Sequence, residues 1–229
     1  MKRMNSIGLN PSQPPLVRGG AGLALPLIRG SWRGLGFDLT SILNMLFFAT
    51  LALMSTIATA VEFKQVQVNE STVTFGYKQM GVPMEGKFAK FTAQTSFDPA
   101  KLAKAQARID IDLASIDTGS EEGNDEVKAK AWFNTQAFPS AGFVSTSVKS
   151  LGGNRYEATG KLTIKGKTLD IVAPFTFQAN GTRGLFDGVF TIKRLDYNIG
   201  EGVWTDVSTV ANEIQIKFHI VLIAAPNKK

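Results

Sequence analysis

The sequence predicts an all-β fold, an extended antiparallel β-barrel of about eight strands with one or two short helices. Three observations carry that prediction. Apolar and polar residues alternate with a period of two in runs between residues 62 and 223. Short turn signals separate the runs, so that neighbours pair antiparallel. Twenty-two glycines, nine prolines and a steady supply of Val, Ile, Thr and Phe suit turns and strands, with helix minor. With 229 residues and 44% hydrophobic content, the chain can bury one real core.

The first sixty residues stand apart from this pattern. Residues 39 to 61 carry no charge, and the run NMLFFATLALMSTIATA passes from an apolar centre to the small-residue ending Ala58-Thr59-Ala60, with basic residues ahead of it. That order predicts a secretory signal peptide cleaved after Ala60, with an uncleaved anchor as the competing reading because the charge-free run is long enough to span a bilayer. The preceding stretch, rich in Gly, Pro and Arg, has neither helical nor strand period. It reads as an over-extended gene start or a long leader. Domain organisation is therefore an extension with a signal peptide over 1–60 and one barrel domain over 61–229.

The net charge of +6 invites a nucleic-acid reading until it is located. Lys2, Arg3, Arg18, Arg29 and Arg33 against Asp38 give +4 to residues 1–60, which leaves +2 for the rest. The barrel domain is nearly balanced and has no cluster of Lys and Arg among its aromatics, so nucleic acid is set aside as a partner. The chain has no cysteine, which removes thiol catalysis, disulfides and cysteine-based zinc sites.

The strands follow in order. Val73, Phe75 and Tyr77 share one face of STVTFGYKQM, and Ile109, Ile111 and Leu113 share one face of IDIDLASIDTG. Tyr156, Ala158, Gly160, Leu162 and Ile164 are in phase. So are Leu169, Ile171, Ala173, Phe175 and Phe177, then Phe186, Gly188, Phe190 and Ile192, then Ile214, Ile216, Phe218, Ile220 and Leu222. Opposing faces are mostly polar, as in sheets with one dry side. Turn signals lie at residue 69 (NE), 81 (GVPMEG), 152 (GGN), 165 (KGK) and 180 (NGTRG). Eight strands close into a barrel with no free edge and a lumen for a small or elongated ligand. A β-sandwich would give similar strings, and alternation alone does not exclude it.

Two segments break the pattern. DPAKLAKAQ places Asp98 as a helix cap and Pro99 at the first helical position. NDEVKAKAWF places Asn124 as a cap, Asp125 and Glu126 in the first turn, and Lys128 and Lys130 near the end, matching a helix dipole. Both are expected on the surface, bracing a barrel end.

In that order and spacing, VTFGYKQMGVPMEGKFAKFTAQTSFDP, IDLASIDTG, WFNTQAFPSAGFVS, GGNRYEATGKLTIKGKT and FTIKRLDYNIG resemble the polyisoprenoid-binding YceI-like proteins of bacteria. The resemblance runs over nearly the whole chain after residue 60. It implies a lipocalin-like barrel that holds a long isoprenoid chain, a quinone tail included, in an apolar tunnel, in a protein commonly exported to the periplasm. The 1–40 extension has no counterpart in the family pattern, and Trp204 falls in a variable loop.

Catalysis is weighed at Ser115, Asp117 and Thr118. A hydrolase needs a base, and the one histidine, His219, faces opposite to Ile216, Phe218 and Ile220. Ser115 also lacks the Gly-x-Ser-x-Gly elbow. The segment reads instead as a strand end whose side chains bond backbone groups at a corner. The acids between Asp110 and Glu126 match no calcium loop and are read as solvated, with no metal expected. Arg194 and Asp196 are read as an ion pair, with contact to a ligand head group as the alternative for Arg194.

The aromatics remain as ligand-binding candidates. Phe75, Tyr77, Phe88, Phe175, Phe177, Phe190 and Phe218 are expected to line a tunnel. Small inward residues, Gly160, Ala173 and Gly188, leave volume along its axis. No catalytic residue and no required cofactor are expected, only a bound isoprenoid lipid or quinone. An enzyme or electron-transfer accessory acting on such a lipid is the alternative. Transient contact with a membrane or a membrane redox protein, and a homodimer, are left open as partners.

Overall fold

The computed structural model describes residues 61–225, and the signal-peptide segment lies outside them. Eleven strands follow in chain order: β1 (Phe63–Val66), β2 (Thr72–Gln79), β3 (Val82–Phe88), β4 (Phe91–Ser96), β5 (Gln106–Asp112), β6 (Ile116–Asp117), β7 (Ser140–Gly152), β8 (Arg155–Ile164), β9 (Lys167–Asn180), β10 (Arg183–Lys193) and β11 (Glu213–Ala224). They form one curled antiparallel sheet in the order β4-β5-β7-β8-β9-β10-β11-β2-β3-β6, with β1 added beside β11.

The order returns on itself because β3 and β4 are halves of one strand bent at Ala89 and Lys90. The first half pairs with β2 and the second with β5. The bend is pinned by Ser115, whose carbonyl accepts from the Ala89 N–H at 3.0 Å and whose Oγ accepts from the Lys90 N–H at 2.9 Å. β5 and β6 are likewise one strand, interrupted by the 3-10 turn Leu113–Ser115. At the far end β1 spans the gap, pairing with β11 while Phe63 exchanges both backbone hydrogen bonds with Phe97 at 2.8 and 3.0 Å. With β3/β4 and β5/β6 each counted once and β1 treated as a short stave, the long strands number eight.

Alternation picks the buried residues along most of the long strands, although Leu169, in the same phase near the start of β9, is exposed. Tyr156, Ala158, Leu162 and Ile164 of β8 are buried, as are Ala173, Phe175 and Phe177 of β9. Two hairpins turn on two residues that both have positive φ, Met80-Gly81 (50° and 81°) and Lys165-Gly166 (48° and 76°). This geometry matches the twist of paired strands. Lys165 folds under its own turn, where its Nζ donates to the carbonyls of Lys130 and Asn198 and to the Glu201 carboxylate at 2.8 Å.

The two helical segments need correction. After Asp98 the chain makes a turn and then the 3-10 turn Leu102–Lys104, with no α-helix. Asp98 Oδ1 accepts from the Ala100 N–H, two residues on, which closes an Asx-type turn in place of a helix cap. The second segment does hold a helix, α1 (Glu121–Lys128), but it begins a turn earlier than expected, capped by Ser120, whose Oγ accepts from the Gly123 N–H. Asn124 lies inside α1, and its Oδ1 accepts from the Thr118 N–H and hydroxyl.

The interior divides along the barrel axis. One end is a packed aromatic cluster of Phe63, Phe97, Tyr156, Phe175, Phe177 and Phe186. The Phe97 ring centroid lies 4.8 Å from that of Phe177 and 5.0 Å from that of Phe186. The other end, under α1 and the 194–212 loop, gathers Leu113, Trp132, Leu162, Ile164, Ile192, Tyr197, Ile199 and Val210.

Candidate functional site

The barrel is hollow at the second end. A cavity of about 550 Å³ lies between β2, β3, β8, β10 and β11 on its sides and α1, Trp132, Phe133, Ile199, Trp204 and Val210 at its cap. A narrower chamber of about 160 Å³ continues toward the aromatic cluster, walled by residues such as Phe97, Ile109, Phe143, Ala173, Phe175 and Phe218. Val73, Ile111, Ala141, Leu162, Phe190 and Ile216 border both chambers. They form the common apolar boundary of the two chambers. The volume of the wide chamber is typical of a small-molecule site.

The sequence-derived candidates distribute as follows. Phe75, Tyr77, Phe88 and Arg194 line the wide chamber, Phe190 lines both, and Phe175 and Phe218 line the narrow one. Phe177 lines neither. It packs edge-on to Phe63 at 5.2 Å and against Phe97 and Phe186 at 4.8 Å, in the solid part of the core.

Gly188 also departs from expectation. It faces inward, directly opposite Phe218, but a Cβ there would overlap the Phe218 ring and sit 2.7 Å from the Pro174 carbonyl. The missing side chain admits an aromatic ring instead of leaving a space. Gly160 is covered in the same way by Phe143, and Gly86 by Phe75. Such pairing of inward glycine with a neighbouring ring is a known device of sheets. Ala173 alone of the three small residues borders a chamber.

Arg194 makes no ion pair with Asp196. It opens a 3-10 turn, Arg194–Tyr197, and is only 1% exposed. Its Nε donates to the Ala211 carbonyl, Nη1 to those of Ile199 and Gly200, and Nη2 to those of Trp204 and Val210, at 2.6 to 3.3 Å. All five N–H groups of the guanidinium are thus taken by backbone, which ties the 194–212 loop into one piece. Burial holds the pKa of this group below its ordinary value. The guanidinium also lies 5.4 Å from the centre of the Trp132 ring, and Trp132 stands 5.3 Å from Trp204. Arg194 builds the cap of the cavity and has no hydrogen bond left for a ligand.

The other polar groups near the cavity differ in their satisfaction, and the buried Tyr197 hydroxyl has no hydrogen-bond partner among the described residues. The Trp132 indole N–H donates to Glu126 at 3.0 Å. Burial raises the pKa of Tyr77, and burial together with Asp196 pushes Tyr197 up to about 12. The corner at Ser115 is structural: Oγ donates to the Asp112 carbonyl at 2.6 Å, Asp117 accepts from the Gly119 N–H, and Asp112 caps the 3-10 turn. His219 is on the outer face of β11, its Nδ1 2.6 Å from Asp187. The geometry therefore offers a largely apolar container, and among the described residues lining the wide chamber no hydroxyl is hydrogen-bonded to a carboxylate or histidine. Asp110 is engaged by Arg108 at 2.7 Å.

Sequence reasoning missed Trp132, Phe133, Val127, Ile199 and Val210, which cap the wide chamber, and it noted Trp204 only as a residue in a variable loop. They come from stretches with no period of two. The signal available was density of large apolar residues in segments otherwise read as loop.

A family model described as a YceI-like domain matches residues 65–222. The crystal structure of Burkholderia cenocepacia BcnA is similar with a TM-score of 0.67 and 50% identity, over 69% of this chain and 99% of that one. The protein YceI of Escherichia coli O157:H7 is 28% identical over 183 residues, 75% of this chain and 91% of that protein. A polyisoprenoid binding domain from Saccharophagus degradans shares the fold, with a TM-score of 0.56 at 16% identity over 72% of this chain and 99% of that one.

Proposed function

The chain belongs to the YceI-like family, and from that premise we propose that it is a non-catalytic binding protein which holds one long isoprenoid lipid or prenyl quinone in the barrel, for transport, storage or sequestration. The single observation that carries the reading is the pair of adjoining chambers that share an apolar collar of wall residues. A bulky ring fits the 550 Å³ chamber beside Trp132, Phe75 and Phe88, while a slender tail threads the collar into the 160 Å³ chamber. Burial of the chain contributes about 25 cal/mol per Å² removed from water, before the losses that binding imposes. The ligand reading draws support from the polyisoprenoid binding domain that shares the fold. Work in the periplasm, after export directed by residues 1–60, and transient contact with a membrane complete the proposal.

The test is extraction of the purified protein into organic solvent followed by mass spectrometry, with Leu162→Trp as the comparison. The parent should yield a long-chain isoprenoid. Leu162→Trp, which narrows the collar, should yield less of it or a shorter chain. A parent that carries no lipid and takes up no added prenyl quinone would sink the proposal.

A further inference from the structure

Among the described residues, four large apolar side chains are more than half exposed: Val203 at 84%, Met80 at 74%, Val82 at 57% and Val207 at 51%. All four lie on two neighbouring segments, the tip of the β2–β3 hairpin and the 202–210 loop. Two backbone hydrogen bonds join these segments. Met80 N–H donates to the Thr209 carbonyl at 2.9 Å and Ala211 N–H donates to the Lys78 carbonyl at 2.9 Å, which together make the isolated antiparallel bridge between Gln79 and Val210. The two segments that carry the four residues are therefore stitched to each other at one rim of the sheet. Folding does not account for Met80, which occupies a left-handed turn position (φ 50°) that Asn or Gly fills at less cost and is 74% exposed.

The rim adjoins the opening of the wide chamber. The wall residues that reach solvent are Gln79 and Met84 on the same hairpin, and Ser120 and Glu122 on α1 across from it. Trp204, next to Val203, is itself part of the wall. From this continuity we infer that the rim of Met80, Val82, Val203 and Val207 is a docking surface for a zwitterionic lipid bilayer, seated so that a lipid passes between membrane and cavity without crossing water. The inference rests on the proposed lipid-binding function. Four side chains on two turn tips fall well short of the roughly 20–30 residues a side of a standard protein interface. They do suit shallow insertion among acyl chains, where each apolar group removed from water adds to binding. Glu121, Glu122 and Asp125 on α1 are exposed on the opposite side of the opening, which disfavours an anionic surface.

The experiment is flotation of the protein with phosphatidylcholine vesicles, set beside uptake of a prenyl quinone supplied in detergent micelles. The parent should co-float, equally at low and high salt, and less with vesicles containing phosphatidylglycerol. Met80→Asp with Val203→Asp should lower the floated fraction at least tenfold while leaving melting temperature and quinone uptake from micelles unchanged. A control pair on the outer wall, Val144→Asp with Val189→Asp, should float like the parent. The docking assignment is overturned if the parent does not float, if the rim variant floats as well as the parent, or if the control pair loses as much. Loss of quinone uptake in the rim variant alone would also overturn it, by placing these residues inside the holding site. Flotation that behaves as expected while no protein takes up quinone leaves docking standing and counts against the cavity reading.

Discussion

Arg194→Lys tests whether the guanidinium holds the cap together. Arginine there satisfies five backbone carbonyls from a site 1% exposed. Lysine keeps the charge but has three donors on a single nitrogen, so at least two of those acceptors lose their partner. A buried polar group left unsatisfied costs about 1–3 kcal/mol, which sets the loss at roughly 2 to 6 kcal/mol. In a domain of this size each kcal/mol lowers the melting temperature by about 2–4 °C. The variant should therefore melt at least about 4 °C below the parent. The loss should also be local, because the five carbonyls belong to residues 199–211. Limited proteolysis of the native variant should give new cuts in that segment, with the strands intact. A variant that melts within about 2 °C of the parent and shows the parental digestion pattern would refute the account of Arg194 as a clamp.

Three further outcomes are expected. Gly188→Leu should destabilise by about 1–3 kcal/mol in urea melts, because the new side chain meets the Phe218 ring, and Phe218→Ala should recover part of that loss when combined with it. Ser115→Ala should cost about 1 kcal/mol by the same measurement and leave lipid recovery at the parental level, since its hydroxyl bonds only backbone. Glu201 has its pKa lowered below the ordinary 4.5 by the hydrogen bond from Lys165, so its contribution is present above that value and is lost as pH falls through the folded value. A melting-temperature difference between parent and Glu201→Gln that exists at pH 6 should fade as pH drops below about 4.5, and one that grows on acidification would contradict the pairing.

The strands were legible in the sequence because one face of the sheet is dry, and alternation records that directly. The hairpins at Gly81, Gly166 and Gly181 were legible because tight turns demand positive φ. The corner at Ser115 was legible from its residue types. What fills the interior was not. Alternation states that Gly188 faces inward, but not that a ring from the neighbouring strand covers it, and it cannot separate Phe177 in the packed end from Phe175 beside the hollow. Arg194 was misread for a related reason. Its partners are carbonyls, which every residue carries and no sequence distinguishes. The nearby acid Asp196 was the visible candidate, and the carbonyls that outcompeted it come from residues up to 17 positions away.

β11 has three neighbours, β10, β2 and β1, and it is the last strand of the domain to leave the ribosome. β2 can pair at once with β3, but β1, made first, has no partner strand until residues 213–224 exist, about 150 positions later. The growing chain can form the hairpins β7 to β10 early, but it cannot close. Its two earliest strands stay unpaired with β11 through nearly all of synthesis, and that interval is long compared with local hairpin formation. A nascent chain arrested before residue 213 should be protease-sensitive along β1, whereas one extended past residue 224 should gain protection there in a single step.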